Sequence, residues 1–161
     1  MTIRNVWQFI STGGKKDTQG GRAEEHPAKP VEAPQAMIDI RNNKKKYFPE
    51  SKIVIIYLLG NYIGSNEDPA SKTTGRTYLD NSVDPCHLIT ITEAADAYLL
   101  AHELGHVFNY SRVDNNMDDA DPISTDRAHN RNVGNIMYPE AGTVLTTEQC
   151  EKFFRSPIIN Q

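Results

Sequence analysis

Three residues in the segment 102–106 have the types and the spacing needed to bind a metal ion and to move a proton. His102 and His106 are four positions apart, and Glu103 directly follows the first histidine. In a helix, residues four apart lie on one face about one turn from each other, so two imidazoles can bind one ion. Glu103 would then lie beside the ion as a candidate base. The alternative, a core helix with two incidental histidines, would bury an unpaired carboxylate at a high cost.

A second group of residues, from His129 to Pro139, makes the metal interpretation more specific. His129 precedes Met137 by eight residues, Gly134 lies between them, and Tyr138 follows the methionine directly. Together with the H-E-x-x-H array, this segment resembles the metzincin metallopeptidases, and most closely their matrixin-type members. In that pattern a third histidine lies eight residues before the methionine of a tight turn.

The resemblance implies a metal centre and a reaction. It implies one catalytic zinc ion bound by His102, His106 and His129, with a water molecule in the fourth position. It also implies that Glu103 is the general base that takes a proton from this water and passes it to the leaving amine.

The same resemblance implies how the site is enclosed. Met137 would form the hydrophobic floor beneath the metal, and Tyr138 and Pro139 would wall the pocket for the residue after the cleaved bond. A peptide substrate would lie extended along the edge strand of the sheet, since main-chain pairing suits an extended backbone. Residues 75–80 are our candidate for that strand.

The sequence departs from the family pattern in two places. Members usually have a glycine in a left-handed conformation three residues after the second histidine; here Asn109, the next most tolerant residue, stands there. The position expected for the third histidine holds Arg112, and His129 comes 17 residues later. We therefore predict an inserted loop at residues 110–128, acidic and solvated over 112–128. A loop of this length costs modest entropy.

The insertion leaves other carboxylate candidates open for the third ligand. Asp114 lies within the insertion, and Glu140 and Glu148 lie beyond the methionine. A carboxylate oxygen is a known alternative to a third imidazole on zinc.

A calcium ion is a weaker alternative within the insertion. Asp114, Asn116 and Asp118 alternate along the chain. The helix-loop-helix calcium pattern requires a glycine at the sixth position and a glutamate at the twelfth, and Thr125 occupies the latter. A solvated acidic loop is the better interpretation.

Hydrophobic spacing and turn residues predict the elements that must position these side chains. The predicted elements are a strand at 3–10, a flexible loop at 12–34, a helix at 34–47, a strand buried on both faces at 52–59, an edge strand at 75–80, a strand at 87–92, a helix at 93–108 capped by Thr92, and a C-terminal helix that begins near Thr146. With the resemblance, this order predicts a single domain over 1–161 with an α+β fold. It would contain a twisted mixed β-sheet, an active-site helix, a methionine turn and a C-terminal helix.

Composition excludes several classes of partner. The chain has 161 residues and a net charge of −4, which does not favour nucleic acid, because phosphate binding needs a basic surface. The one basic run, residues 44–46, is interpreted as the solvated end of a helix. No apolar stretch has the length of a membrane helix, so we expect no membrane partner. The oligomeric state is left open.

The terminus and the cysteines are less informative. The first ten residues lack the basic and apolar regions of a signal peptide, so we expect a cytoplasmic protein or one exported without a cleaved signal. Cys86 and Cys150 either pair or remain reduced.

The sequence as a whole predicts a zinc-dependent endopeptidase acting on a protein or peptide substrate. One alternative is a cytosolic H-E-x-x-H peptidase of the repressor-cleaving type, which takes a glutamate as third ligand. Its Glu-x-x-Ala-Asn motif does not occur after His106. A second alternative is a zinc-containing binding module that does not cut. A third, an effector protease delivered by specialised machinery, would differ only in its location.

Overall fold

The computed structural model describes residues 35–47, 49–58, 63, 73–113 and 115–159. The predicted strand at 3–10 and the predicted loop at 12–34 lie outside these residues. The elements are α1 (Gln35–Asn42), α2 (Lys44–Tyr47), β1 (Ile53–Leu58), β2 (Gly75–Tyr78), β3 (His87–Thr92), α3 (Leu99–Asn109), β4 (Tyr110–Ser111), β5 (Asn116–Met117), β6 (Pro122–Ile123), β7 (Asp126–Asn130) and α4 (Thr147–Phe154). The fold class is therefore α+β, as predicted.

A mixed three-stranded sheet forms the centre of the described residues, in the order β1-β3-β2. The β1 and β3 strands are parallel, whereas β2 is antiparallel to β3. All six residues of β3 are buried, because this strand has neighbours on both sides and its run of Leu88, Ile89 and Ile91 packs into the core. The strand expected at 75–80 spans Gly75–Tyr78 and lies at the edge of the sheet among the described residues, in agreement with the predicted edge position.

The expectation that the 52–59 strand is buried on both faces is wrong. Within the described part of the chain β1 is the other edge of the sheet, and Ile55 and Tyr57 expose 48% and 59% of their surface. Val54, on the opposite face, joins a core cluster with Cys86 and Leu88. A continuous apolar run therefore does not distinguish a central strand from an edge strand.

The helix that carries the H-E-x-x-H array begins later than predicted. Thr92 is the last residue of β3, and its backbone N–H donates to Thr74 O, so it is not a helix cap. The N-cap residue is Tyr98, which makes no side-chain cap hydrogen bond. Two residues before it, Asp96 Oδ1 accepts from the backbone N–H of Tyr98 and of Leu99, at 2.7 and 2.9 Å. A carboxylate at a helix N-terminus satisfies backbone donors that have no partner in the helix.

The helix predicted at 34–47 forms as two short helices that meet at Asn43. The basic run in the second of them is not fully solvated, contrary to expectation. Lys44 is buried, and its Nζ lies 3.2 Å from a carboxylate oxygen of Asp84 and donates to the Asp84 and Pro85 carbonyls. Its ammonium group therefore joins the helix to the loop before β3.

The segment predicted as an inserted loop is folded into two small hairpins, which corrects the prediction for 110–128. In the first hairpin β4 pairs with β5, and in the second β6 pairs with β7. The acidic residues are not simply solvated: Asp119 is buried, and Asp118 pairs with Arg127 at 2.6 Å. His129 is part of β7.

The C-terminal helix begins as predicted. The Thr146 hydroxyl accepts from the Gln149 backbone N–H, and the Gln149 side chain accepts from the Thr146 N–H, which together form a capping box. Phe153 packs against Phe108 of α3 with ring centroids 5.6 Å apart. The next residue, Phe154, is 70% exposed.

The two cysteines are unpaired, and Cys86 is buried. Among the helices that the structure describes, none combines the length and the apolar character required to cross a membrane.

We predict that His87 makes the folded state less stable at mildly acidic pH. Its Nδ1 accepts a 3.1 Å hydrogen bond from the Asp80 N–H, and burial lowers its pKa from 6.5 to about 4. Below about pH 6.5 the unfolded chain therefore binds a proton that the folded chain excludes, so stability falls as the pH decreases. The loss attributable to His87 at about pH 5 is about 2 kcal/mol.

Denaturant unfolding at about pH 7.5 and pH 5 measures this effect. A His87→Gln variant, whose amide oxygen can accept the same N–H without titrating, should lose about 2 kcal/mol less than wild type. Equal losses in the two proteins would contradict the assignment.

Candidate metal centre

The polar residues of the H-E-x-x-H array lie on the buried side of α3. His102, Glu103 and His106 are each at least nine-tenths buried, whereas Leu100 and Ala101 lie on the exposed side. The inward face of α3 therefore carries two imidazoles and a carboxylate. Buried polar groups need hydrogen-bond partners.

The structure brings His129 next to His102 and His106. The candidate ligand atoms of the three side chains all lie within 4.8 Å of one another, and the Nε2 atoms of His102 and His106 are 3.1 Å apart. Two nitrogens bound tetrahedrally to one zinc ion at 2.0–2.1 Å are about 3.3 Å apart. The three histidines could therefore hold a metal ion.

The outward ring nitrogens fix the orientation of two of these imidazoles. His102 Nδ1 lies 2.7 Å from Ile136 O, and His129 Nδ1 lies 2.6 Å from Asp126 Oδ2. As the acceptors are oxygens, each Nδ1 carries the hydrogen, and each Nε2 keeps its lone pair. His106 Nδ1 is buried and has no hydrogen-bond partner among the described residues.

The electrostatic environment keeps the helical histidines neutral. Burial lowers the pKa of His102, and it lowers that of His106 further, where the neighbouring His102 and His129 add to the effect. A neutral imidazole is the form that binds a metal ion. The donor set of three nitrogens fits zinc and other divalent ions that accept imidazole ligands.

Glu103 is held by two residues of β2 that the sequence does not indicate. The Thr77 hydroxyl donates to Glu103 Oε2 at 2.6 Å, and it lies 2.9 Å from the Glu103 carbonyl oxygen. A Cβ atom at Gly75 would lie 2.9 Å from Glu103 Oε1 and 2.8 Å from Leu99 Cδ2, so a larger residue there would require these side chains to shift. Burial raises the pKa of Glu103 to about 7, while the Thr77 hydrogen bond acts in the opposite direction.

Met137 lies directly beneath the helix. Its side chain is fully buried, and a Cβ atom at Gly105 would overlap its sulfur atom. The Met137 N–H donates to Asn135 Oδ1 at 2.8 Å, and its carbonyl accepts from Asn130 N at 2.7 Å. The predicted floor residue therefore packs against the helix between the two histidine positions.

The turn around Met137, residues 133–139, is held by two close-packed glycines. Gly134 has φ +89°, a conformation that L side chains rarely adopt. A Cβ at Gly142 would overlap the Gly134 backbone. Tyr138 is half-buried and Pro139 is exposed, and their pocket-wall role stays a prediction.

A buried polar network, which the sequence does not reveal, connects this turn to the hairpins. The Asp119 carboxyl group accepts from Asn130 Nδ2 at 2.5 Å and from Gln149 Nε2 at 2.7 Å. Gln149 and Asn135 exchange two amide hydrogen bonds, at 2.8 and 2.9 Å. Capping-box spacing identifies Gln149 as a helix-start residue, but nothing in the spacing shows that its amide is shared with Asp119.

Asn109 belongs to the same network, and its conformation differs from the left-handed one that was expected. It is the last residue of α3, and the chain continues into extended backbone at Tyr110 rather than through a left-handed Asn109. Its Nδ2 donates to Asp119 Oδ2 at 3.4 Å. Because β4 directly continues the helix, no left-handed turn is needed there.

The alternative ligands do not join the histidine cluster. Glu140 and Glu148 are exposed, and the only group of potential ligands found in the described part of the chain is the histidine triad. Asp114 lies outside the described residues. The carboxylate of Asp118, considered for calcium, is instead bonded to Arg127.

Comparison of the chain with protein-family models, with curated proteins and with solved structures finds no match in any of the three. The function must therefore be argued from the site itself.

We predict that Gly105→Ala destabilises the protein, although this change normally stabilises a helix interior by about 1 kcal/mol. The added methyl group would overlap the buried Met137 sulfur, and overpacking of this kind costs about 1–3 kcal/mol. Denaturant unfolding of Gly105→Ala, Met137→Ala and the double variant gives the coupling energy. A coupling below about 0.5 kcal/mol would contradict the close packing.

Proposed function

We propose that the protein is a zinc-dependent endopeptidase of the metzincin type. The observation that carries the proposal is the convergence of three imidazoles beside a buried glutamate. Two of these imidazoles and the glutamate come from one helix, and the third comes from a separate hairpin. Neutral histidines alone would suit a structural metal site, but a glutamate with a pKa of about 7 is suited to accept and return a proton.

In this proposal His102, His106 and His129 hold the zinc ion. The chemistry that bound zinc supplies is Lewis-acid activation of water and of the scissile carbonyl. Glu103 takes a proton from the attacking water and delivers it to the leaving amine. Thr77 holds the Glu103 carboxylate during both transfers, and Met137 keeps the floor of the site apolar.

The edge of the sheet suggests how a substrate would bind. The β2 strand has β3 on one side, and its other side is the sheet edge in the described residues. An extended peptide can add to such an edge by main-chain hydrogen bonds. Because Thr77 is part of β2, a peptide bound there would lie next to the residue that holds the base.

Two observations support this proposal over the alternatives. The repressor-cleaving type requires a glutamate as third ligand, whereas a histidine occupies that place in the cluster. A non-catalytic binding module has no need for a buried glutamate hydrogen-bonded to Thr77. The metzincin assignment is further supported by the buried Met137 beneath the helix.

A direct test measures peptide-bond hydrolysis by protein reconstituted with one equivalent of zinc. A quenched-fluorescent peptide library and unfolded casein serve as probes, and a chelator followed by added zinc should abolish and restore cleavage. Glu103→Gln should keep its zinc but lose about 10²–10⁴-fold in rate, since the base is removed and the volume is kept.

The matched control is Glu151→Gln, an exposed acidic residue of α4, which should cut at the wild-type rate. Undiminished hydrolysis by Glu103→Gln would refute the role of the glutamate. Stoichiometric zinc without cleavage of any probe would favour the binding module.

We also predict that the Thr77 hydroxyl contributes to turnover rather than to substrate affinity. Thr77→Val keeps the shape of the side chain but removes the 2.6 Å hydrogen bond to Glu103, so kcat should fall by about tenfold or more with little change in KM. Thr77→Ser should restore most of the rate. If valine and serine variants behave alike, the hydroxyl is not what holds the base.

A further inference from the structure

We propose that Asp126 is a positioning residue for the third imidazole, so that the metal affinity of the site depends on a carboxylate that is not itself in the ligand cluster. The inference rests on the metal-binding part of the proposed function and is independent of hydrolysis. It follows from the local backbone, the hydrogen bonds of Asp126 and the ion pairs around it.

His129 needs external positioning more than the other two candidate ligands. His102 and His106 are fixed by the helix that carries both of them. His129 is delivered by a short hairpin, and its side chain is 22% exposed. A partly exposed imidazole on a small hairpin has access to several rotamers, and the cluster requires one in which the ring faces His102 and His106.

The backbone of β7 is irregular where it brings Asp126 and His129 together. In a regular strand, residues three apart point to opposite faces and lie about 10 Å apart. Ile123 pairs with Asp126, so the regular partner of Pro122 would be Arg127, but Pro122 pairs with Asn130, three residues further along. The extra residues form a bulge, a feature that redirects side chains next to functional sites.

The bulge places both carboxylate oxygens of Asp126 in defined contacts. Oδ2 lies 2.6 Å from His129 Nδ1, and Oδ1 accepts from the Ala128 N–H at 3.3 Å. The carboxylate is thus anchored to the bulge backbone as well as to the ring. It fixes the tautomer of His129 with the hydrogen on Nδ1 and the lone pair on Nε2.

The neighbouring cations are engaged with other acids. Arg127 forms its ion pair with Asp118 at 2.6 Å, and Arg131 pairs with Asp121 at 2.7 Å. Each arginine next to the bulge therefore has its own acidic partner, so neither of them competes with the His129 imidazole for Asp126. This division of partners indicates a dedicated Asp126–His129 pair.

The resulting orientation of the His129 ring brings it against both of the other imidazoles. The His129 ring stacks on His102 with centroids 5.2 Å apart and an interplanar angle of 26°, and it meets His106 edge-on at 4.9 Å. A carboxylate that accepts from the far nitrogen of a metal-binding histidine increases the basicity of the near one. Loss of such a partner weakens metal binding by about 10- to 100-fold.

Titration with Zn²⁺ against a competing chelator, and with Co²⁺ followed by its visible spectrum, tests the proposal without any substrate. Asp126→Asn and Asp126→Ala should bind both ions about 10- to 100-fold more weakly than wild type, with an altered Co²⁺ spectrum. The matched control, Asp121→Asn, removes an acid of the same segment that pairs with Arg131, and should stay within about threefold of wild type. Circular dichroism of the metal-free proteins should show that all of them are folded.

Three outcomes would overturn the proposal. Wild-type affinity in Asp126→Ala, together with weakened binding in His129→Ala, would show that the histidine binds metal without help from Asp126. Equal weakening in Asp121→Asn would show general damage to the hairpins. Wild-type metal affinity in His129→Ala would show that His129 is not a ligand, and it would contradict the metal centre of the proposed function as well.

Discussion

The carboxyl group of Asp119 is the interaction on which the geometry of the histidine cluster depends. It accepts hydrogen bonds from the end of α3, from the residue after His129 and from the first turn of α4, and it is almost completely buried. A buried acceptor that loses its donors is costly, so these three segments are constrained to remain together. The hairpin that carries His129 is therefore fixed at its base by polar contacts.

Close packing supplies the second constraint. Gly105 and Gly75 each lie where a neighbouring side chain occupies the space that a Cβ would need, Met137 at the first and Glu103 at the second. The helix is thus held between a buried thioether on one side and the edge strand on the other. Because β2 contacts Glu103 directly, a ligand that pairs with this strand could influence the candidate base through a single hydrogen bond from Thr77.

Local signals predicted most of the regular elements but misjudged the segments that depend on distant partners. The strand at 87–92 and the capping box at Thr146 are defined by contiguous residues, and both appear as predicted. The segment 110–128 is predicted to be a solvated loop because its sequence is acidic and loop-like. In the folded chain the Asp119 carboxylate accepts from Gln149, 30 residues away, and the Asp118 backbone carbonyl accepts from Lys152, 34 residues away. Periodicity does not report such pairings.

The sequence by itself determined the chemistry of the candidate site: two imidazoles and a carboxylate on one helical turn, and a histidine eight residues before a methionine. These are properties of spacing along the chain, and helix geometry converts them directly into positions in space. Only the tertiary structure decided that His129 joins the pair, that Thr77 donates to Glu103 and that Asp126 lies against His129. Those contacts cross between elements, and their geometry is set by a strand edge and a bulge that no local pattern encodes.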